Sequence, residues 1–373
     1  MRVTNTMLVN NLMRNLNNNF NKVDKLQNMM ASGRKFAHIS DDPIALIYSQ
    51  TSRNKLARLE HYQTTVGAAK DWLDQAENAL MELQKTMADA YVSCVDATHD
   101  GKTDGDKQKI GQVIGQLRSH FVDTLNAAFG DKYVYGGYNT PGDSASTIKN
   151  YDLKPFTVED GKLYYNGFEL SMFDGMSAKL LNVDISGLDY AGAVEAIDDL
   201  GVDMGPLSYD DVIMLHRLKN EVLTFDVGPG ISMPVTMNGI DLVLYTNTNE
   251  NGDTVVRNAY NVLTDLYIGA NGDPETVPPL PASELTKLIK PVQDAQNHLL
   301  TKTAEIGGRS KRLELLEARY EQDSINYERM KSDAEDVDMA EVIMRMRIAE
   351  SVMQAAMSAG ARVIQPSLMD FLR

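Results

Sequence analysis

The chain has 373 residues, a single cysteine (Cys94) and a formal net charge of −16. That length allows two or three domains with real cores, the acidity argues against a nucleic-acid partner, and one cysteine leaves neither an intramolecular disulfide nor a cysteine-based metal site. Met1 to Asn11 are polar and no stretch is apolar enough to span a bilayer, so the expectation is no membrane insertion and, if the protein leaves the cell, no cleaved signal peptide.

The first element is a helix with a narrow apolar seam. Val9, Leu12, Leu16, Val23, Leu26 and Met30 alternate spacings of three and four, with Asn19 in the one polar slot. Asparagine is a poor helix former, and the run Asn10 to Asn21 is marginal as an isolated helix. Ser40-Asp41-Asp42-Pro43 then predicts the start of a long helix, with a carboxylate at the cap and proline where no N–H is needed. Leu59, Tyr62, Val66, Ala69, Leu73, Ala76, Leu80, Leu83, Met87, Ala90 and Cys94 keep the rhythm to about His99, roughly 85 Å of helix. After the turn Asp100–Gly105, Ile110, Ile114, Leu117, Phe121, Leu125 and Phe129 mark a second helix ending at Gly130-Asp131.

The middle changes character. Between Pro141 and Pro281 stand 22 acidic and 7 basic residues, whereas the flanks together hold 30 and 29. Nearly all the excess charge therefore sits in this segment. Lys162 to Leu170 predicts a hairpin turning at Asn166-Gly167, and Met233 to Tyr245 a second around Asn238-Gly239. Thr254 to Tyr260 predicts another strand or a helix start, while Tyr190–Leu200 and Tyr209–Asp226 predict short helices. Leu266 to Pro281, with four prolines, reads as a return linker. The expectation is an outward insertion whose removal leaves the helical arms able to pair.

A long helix resumes near Ser283, with Ile306, Leu313, Leu316, Tyr320, Tyr327, Met330, Ala334 and Val337 on its seam. The last helix repeats the heptad at Met339, Val342, Met346, Ala349, Met353, Ala356, Gly360 and Val363. The predicted fold is mainly α: a long antiparallel helical rod or coiled-coil bundle built from both chain ends, carrying a central mixed α/β, β-rich inserted domain. The expected divisions are 1–40 with 338–373 for terminal assembly, 41–140 with 283–337 for the rod, and 141–282 for the insertion. Neither terminal seam has a sequence neighbour to pack on, so each must meet the other chain end or another copy.

Several segments together carry a resemblance. Met1-Arg2-Val3-Thr4 opens the chain, and Ser32-Gly33-Arg34-Lys35 leads into Ser40-Asp41-Asp42-Pro43. Gly130 to Thr140, with Tyr135-Gly136-Gly137-Tyr138-Asn139-Thr140, closes the first arm. Glu335-Asp336-Val337-Asp338-Met339-Ala340-Glu341 opens the last helix, and Ser367-Leu368-Met369-Asp370-Phe371-Leu372 ends the chain. These resemble the flagellin superfamily over roughly residues 1–140 and 285–373, while the central segment matches nothing nameable. Within the superfamily, Met1-Arg2-Val3, Pro43, the Tyr-Gly-Gly-Tyr-Asn-Thr segment and Asp370-Phe371-Leu372 resemble junction members more than filament flagellins. The Asn-rich run and Cys94 depart from the usual pattern.

The resemblance implies a structural subunit of the bacterial flagellum, located outside the cell at the junction between hook and filament. It implies a ring of copies between hook-associated protein 1 and flagellin, export through the flagellar type III apparatus, and a chaperone on the C-terminal segment. Filament flagellin itself is the alternative. The assembly interface then comprises the seam residues Val9, Leu12, Leu16, Val23, Leu26 and Met30, together with Met339, Val342, Met346, Ala349, Met353, Ala356 and Val363, plus Leu368, Phe371 and Leu372.

Other classes draw little from the residues. The six histidines are scattered, and none makes an i, i+4 pair around a carboxylate. No nucleophile–base set, phosphate loop or metal cluster is present in the pattern, so neither catalysis nor a cofactor is expected. The adjacent Asp41 and Asp42 suit capping better than a facing carboxylate pair. Tyr133, Tyr135 and Tyr138 suit packing, and Cys94 on a seam suits a small buried hydrophobe. An intracellular coiled-coil adaptor would not need an acidic insertion displayed midway along its helices.

Overall fold

The computed structural model describes residues 5–36, 38–99, 101–130, 132–138, 154–248, 252–272 and 278–364. In chain order, α1 spans Asn5–Ser32, α2 Pro43–Ala97 and α3 Asp104–Leu125, followed by β1 Ala128–Phe129 and β2 Lys132–Tyr133. The centre contains β3 Phe156–Glu159, β4 Lys162–Tyr165, β5 Phe168–Glu169, α4 Ala178–Asn182, α5 Tyr190–Asp198 and α6 Tyr209–Lys219. It continues through β6 Thr224–Gly228, β7 Ile231–Pro234, α7 Ile240–Val243, β8 Leu244–Thr248 and β9 Thr254–Asn258 to α8 Ala259–Asn271. Two long helices follow, α9 Ala282–Glu335 and α10 Met339–Ile364. The chain is thus mainly helical, with long helices at both ends and a β-containing centre. No helix of the described residues is long and apolar enough to cross a membrane.

Two compact units divide it: Met1–His61 with Ala318–Arg373, and Tyr62–Glu317. Both divisions fall inside α2 and α9. In the larger unit these helices run antiparallel, as Lys70 Nζ to Glu317 (3.1 Å), Gln84 Nε2 to Thr303 Oγ1 (2.7 Å) and Cys94 Sγ to Leu285 O (3.8 Å) record. Their heptad residues Leu73, Ala76, Leu80, Leu83, Met87, Ala90, Ile306 and Leu313 are fully buried. Asp42 caps α2 by accepting from the amides of Ile44 (3.1 Å) and Ala45 (3.0 Å).

The central elements share that core. α8 packs on α3, and a Cβ at Gly111 would meet Asn271 N at 2.8 Å, so glycine permits the close approach. Tyr135, buried, donates from its hydroxyl to Ala76 O (2.6 Å) and accepts at its carbonyl from the Tyr165 hydroxyl (3.1 Å). Asn126 bridges to both backbone groups of Phe156, and His298 Nε2 lies 2.7 Å from Asp241 O.

The three-stranded antiparallel sheet β3-β4-β5 contains the expected turn, with Asn166 and Gly167 both at positive φ. A preceding hairpin at Asp160-Gly161, also both at positive φ, adds a strand that was not expected. The hairpin expected around Asn238-Gly239 does not form. The buried Asn238 side chain instead bonds to Leu218 O and to the amide of Ile240, Gly239 is helical (φ −62), and α7 begins there. The hairpin partners are β6 with β7 and β8 with β9.

Other boundaries also move. Phe129 lies in β1 rather than on α3, and the helix from Tyr209 stops at Lys219, with Asp226 in β6. Leu266, expected in a linker, is fully buried on α8. Both alternatives for Thr254–Tyr260 are realised in sequence, a strand then a helix start.

Candidate assembly interface

In the smaller unit, α1 packs against α10. Leu12 lies against Gly360, where an added Cβ would sit 2.8 Å from Leu12 Cδ2. Leu26 and Met29 lie near Val342 and Arg345, which makes the pair antiparallel. The heptad spacing explains this: each helix offers one narrow seam, and each seam covers the other.

Val23 and Val342 are buried. Val9, Leu12, Leu16, Leu26, Met30, Met346, Ala349, Met353 and Ala356 are half-buried. Met339, on the first turn of α10, is exposed. The side chain of Val363 and all of Leu368, Phe371 and Leu372 lie outside the described residues.

The base of the pair is clasped by backbone and charge. Gly33 ends α1 at φ +69, with its amide bonded to Met29 O (2.9 Å). Lys35 N donates to Glu335 O (2.7 Å) and Val337 N to Gly33 O (3.0 Å), tying residues 33–35 to 335–337. The Glu335 carboxylate, buried, takes two bonds from Arg53, each 2.6 Å, and one from the Ser49 hydroxyl. Bonding from the Arg53 guanidinium, against the opposing cost of burial, lowers the Glu335 pKa to about 2. Sequence reading quoted Glu335 as the first residue of the segment opening the last helix but gave it no partner; Arg53 and Ser49 were not singled out, and the only signal was their place near the start of the other long seam.

The outer faces were also missed. Besides the mutual seam, α10 exposes Ile343, Met344, Ile348, Val352 and Met357, and α1 exposes Met7, Met13 and Phe20. An apolar set at i, i+4 and i+8 flanking a partly filled seam means that the apolar surface of the helix is wider than its partner covers. Between the helices runs a groove of about 530 Å³, lined by Lys22, Leu26, Arg345, Ile348 and Val352 among others. Such a surface can bind other helices.

Comparison with known proteins agrees with this architecture. The bacterial flagellin N-terminal helical region matches residues 3–140, and the bacterial flagellin C-terminal helical region matches residues 289–372. Flagellar hook-associated protein 3 of Escherichia coli is 21% identical over 360 residues, 96% of each chain. A flagellin of Clostridium tyrobutyricum is 25% identical over 117 residues, 31% of each chain. Among solved structures, a flagellar hook-associated protein of Vibrio parahaemolyticus superposes with a TM-score of 0.53 at 15% identity, covering 79% of this chain and all of that one, which speaks to the fold. With both flagellin helical regions present over well more than half of its length, the chain belongs to the bacterial flagellin family.

Proposed function

We propose that this chain is a structural, non-catalytic subunit of the bacterial flagellum, forming the junction between hook-associated protein 1 and the flagellin filament. The observation that carries this reading is extent. Likeness to the Escherichia coli hook-associated protein 3 runs through 96% of both chains, centre included, whereas likeness to the Salmonella typhimurium hook-associated protein 3 covers 38% of this chain and likeness to the Clostridium tyrobutyricum flagellin 31%. The terminal pair, half-buried on its seam and apolar on its outer faces, supports the same role. A subunit that must join copies of itself and two different neighbours needs more apolar helical surface than its own fold covers.

In this reading residues 1–40 with 338–373 assemble, 41–140 with 283–337 carry the long helices, and 141–282 form the acidic central domain. The residues named from the sequence, Val9 to Met30 and Met339 to Val363 on the two seams together with Leu368, Phe371 and Leu372, serve as the assembly interface. The chain leaves the cell unfolded, and an export chaperone holds its C-terminal segment beforehand. The test replaces Met346 and Met353 together with Asp, placing two carboxylates on the α1-facing seam. Cells carrying only this variant should make the chain, bear hooks without filaments and release flagellin into the medium, as a deletion strain should. Full-length filaments in the deletion strain contradict the junction role, and full-length filaments in the variant contradict the assembly role of the C-terminal seam.

A further inference from the structure

The smaller unit leaves two different apolar faces uncovered, and they complement each other. On α10, Met344, Ile348 and Val352 recur every fourth residue, each at least 48% exposed, in a row beside the α1-facing seam, with Ile348 and Val352 at the edge of the α1/α10 groove. This is a ridge. On α2, Ile44, Ile47 and Tyr48 are each at least 61% exposed. Ile44 and Tyr48 form one wall of a groove of about 530 Å³, whose other wall is Met330 and Ala334 of α9. The groove is rimmed by Asp42 and Asp333, and the ammonium of Lys35, also at the rim, is already engaged by Asp333 O (2.5 Å). The ridge is flanked by Arg345, which pairs with Glu341 (2.6 Å), and by Arg347, which has no ion-pair partner among the described residues.

We infer that the α10 ridge of one copy docks into the α2/α9 groove of a second copy, with Arg347 facing Asp333. The inference rests on the reading of this chain as an assembling subunit and names its self-contact. A second copy is the occupant because ridge and groove match in kind and sign: i, i+4, i+8 anchors for an apolar slot, and arginines for aspartates. The two patches are distinct surfaces of one chain, so the contact is head-to-tail. Repetition therefore closes a ring or extends a helix, and it does not stop at a two-fold dimer.

The experiment uses full-length chain in flagellated cells, with Cys94→Ala as the background. Tyr48→Cys and Ile348→Cys are introduced separately and together, and isolated flagella are treated with a mild oxidant. The contact predicts a ladder of cross-linked multimers from the double variant, a dimer when the two single variants are co-expressed, and no dimer from either single variant alone. Dimers from one single variant alone overturn it. Filaments present without any ladder overturn the contact while leaving the junction role intact. Normal filaments from cells lacking the chain overturn the junction role and the contact together. A second pair of changes avoids any folding defect from the cysteines: Arg347→Asp and Asp333→Arg should each reduce the number of filament-bearing cells, and the combination should restore it. Failure of the combination to restore filaments, with the doubly changed chain exported, also overturns the contact.

Discussion

The unit of residues 62–317 and the unit formed by the chain ends contain the same kind of helix but bury it to different depths. In the larger unit, Val66, Leu73, Leu80, Leu83, Phe121, Leu125, Tyr165, Leu266 and Leu299 are among many side chains removed almost entirely from water. In the terminal unit, the buried apolar side chains among the described residues are Val23, Phe36, Leu59, Tyr320 and Val342, and each retains some exposure. Burial of an aliphatic side chain contributes roughly 1.5–3 kcal/mol, so the larger unit carries its own stability and the terminal one has little in hand. The difference teaches that heptad spacing fixes which face of a helix packs, while the number of neighbouring elements fixes how much that packing stabilises.

Removing Pro141–Pro281 should produce the largest effect. The central segment supplies α8 to α3 and Tyr165 to Tyr135, so its deletion strips one side of the core. Circular dichroism should show helix lost well beyond the residues removed. Retained helicity would mean that the long helices are self-sufficient and that the comparison overstates the centre.

Next come matched truncations. Leu80→Ala, at a fully buried site, should lower stability by about 2–5 kcal/mol. Leu12→Ala, half-buried against Gly360, should shift the same melt by less than about 1 kcal/mol. Equal losses would erase the distinction between the units.

A smaller effect tests the clasp. Arg53→Ala leaves the buried Glu335 carboxylate without its main partner. Because Arg53 is 41% exposed, the expected loss is about 1–2 kcal/mol, below that of a fully buried pair. Ser49→Ala should cost less. Both should act on protection of residues near 33–36 and 335–337 in hydrogen exchange, and leave the environment of Trp72 unchanged.

The smallest effect is the pH response, which should separate the units. In the larger unit, burial depresses the pKa of His216 and of His298 below 6.5. The folded state therefore binds fewer protons, and stability falls as pH drops below 6.5. Glu335 in the terminal unit is depressed from 4.5 to about 2, so its contribution persists until pH falls below 4.5. Trp72, the single tryptophan, lies in the larger unit, and its fluorescence on heating should report the earlier loss. A Trp72 transition independent of pH between about 7 and 5 would contradict the histidine assignment.

The long helices and the mutual seam of α1 and α10 were legible because period-3.5 spacing is a direct record of which face is covered. Asn238-Gly239 misled because the dipeptide favours a tight turn only when Asn is free to adopt left-handed backbone. Here burial of the Asn238 amide against Leu218 O decided otherwise. Leu266 was read as linker because the prolines that follow it outweighed a short apolar helix whose partner, α3, is remote in sequence. The outer ridge of Met344, Ile348 and Val352 was visible in the spacing but masked by the stronger seam. The α2/α9 groove required knowing which ends of two helices meet.

The central claim is that the terminal pair gains its protection from assembly, whereas residues 62–317 hold their own. Limited proteolysis of purified monomer tests it most directly, read against the same digestion of intact flagella. The account predicts rapid trimming of the monomer before about Ser40 and after about Val337, a resistant fragment between them, and resistance of the full chain in flagella. Ends as resistant in a proven monomer as in assembled flagella would contradict it.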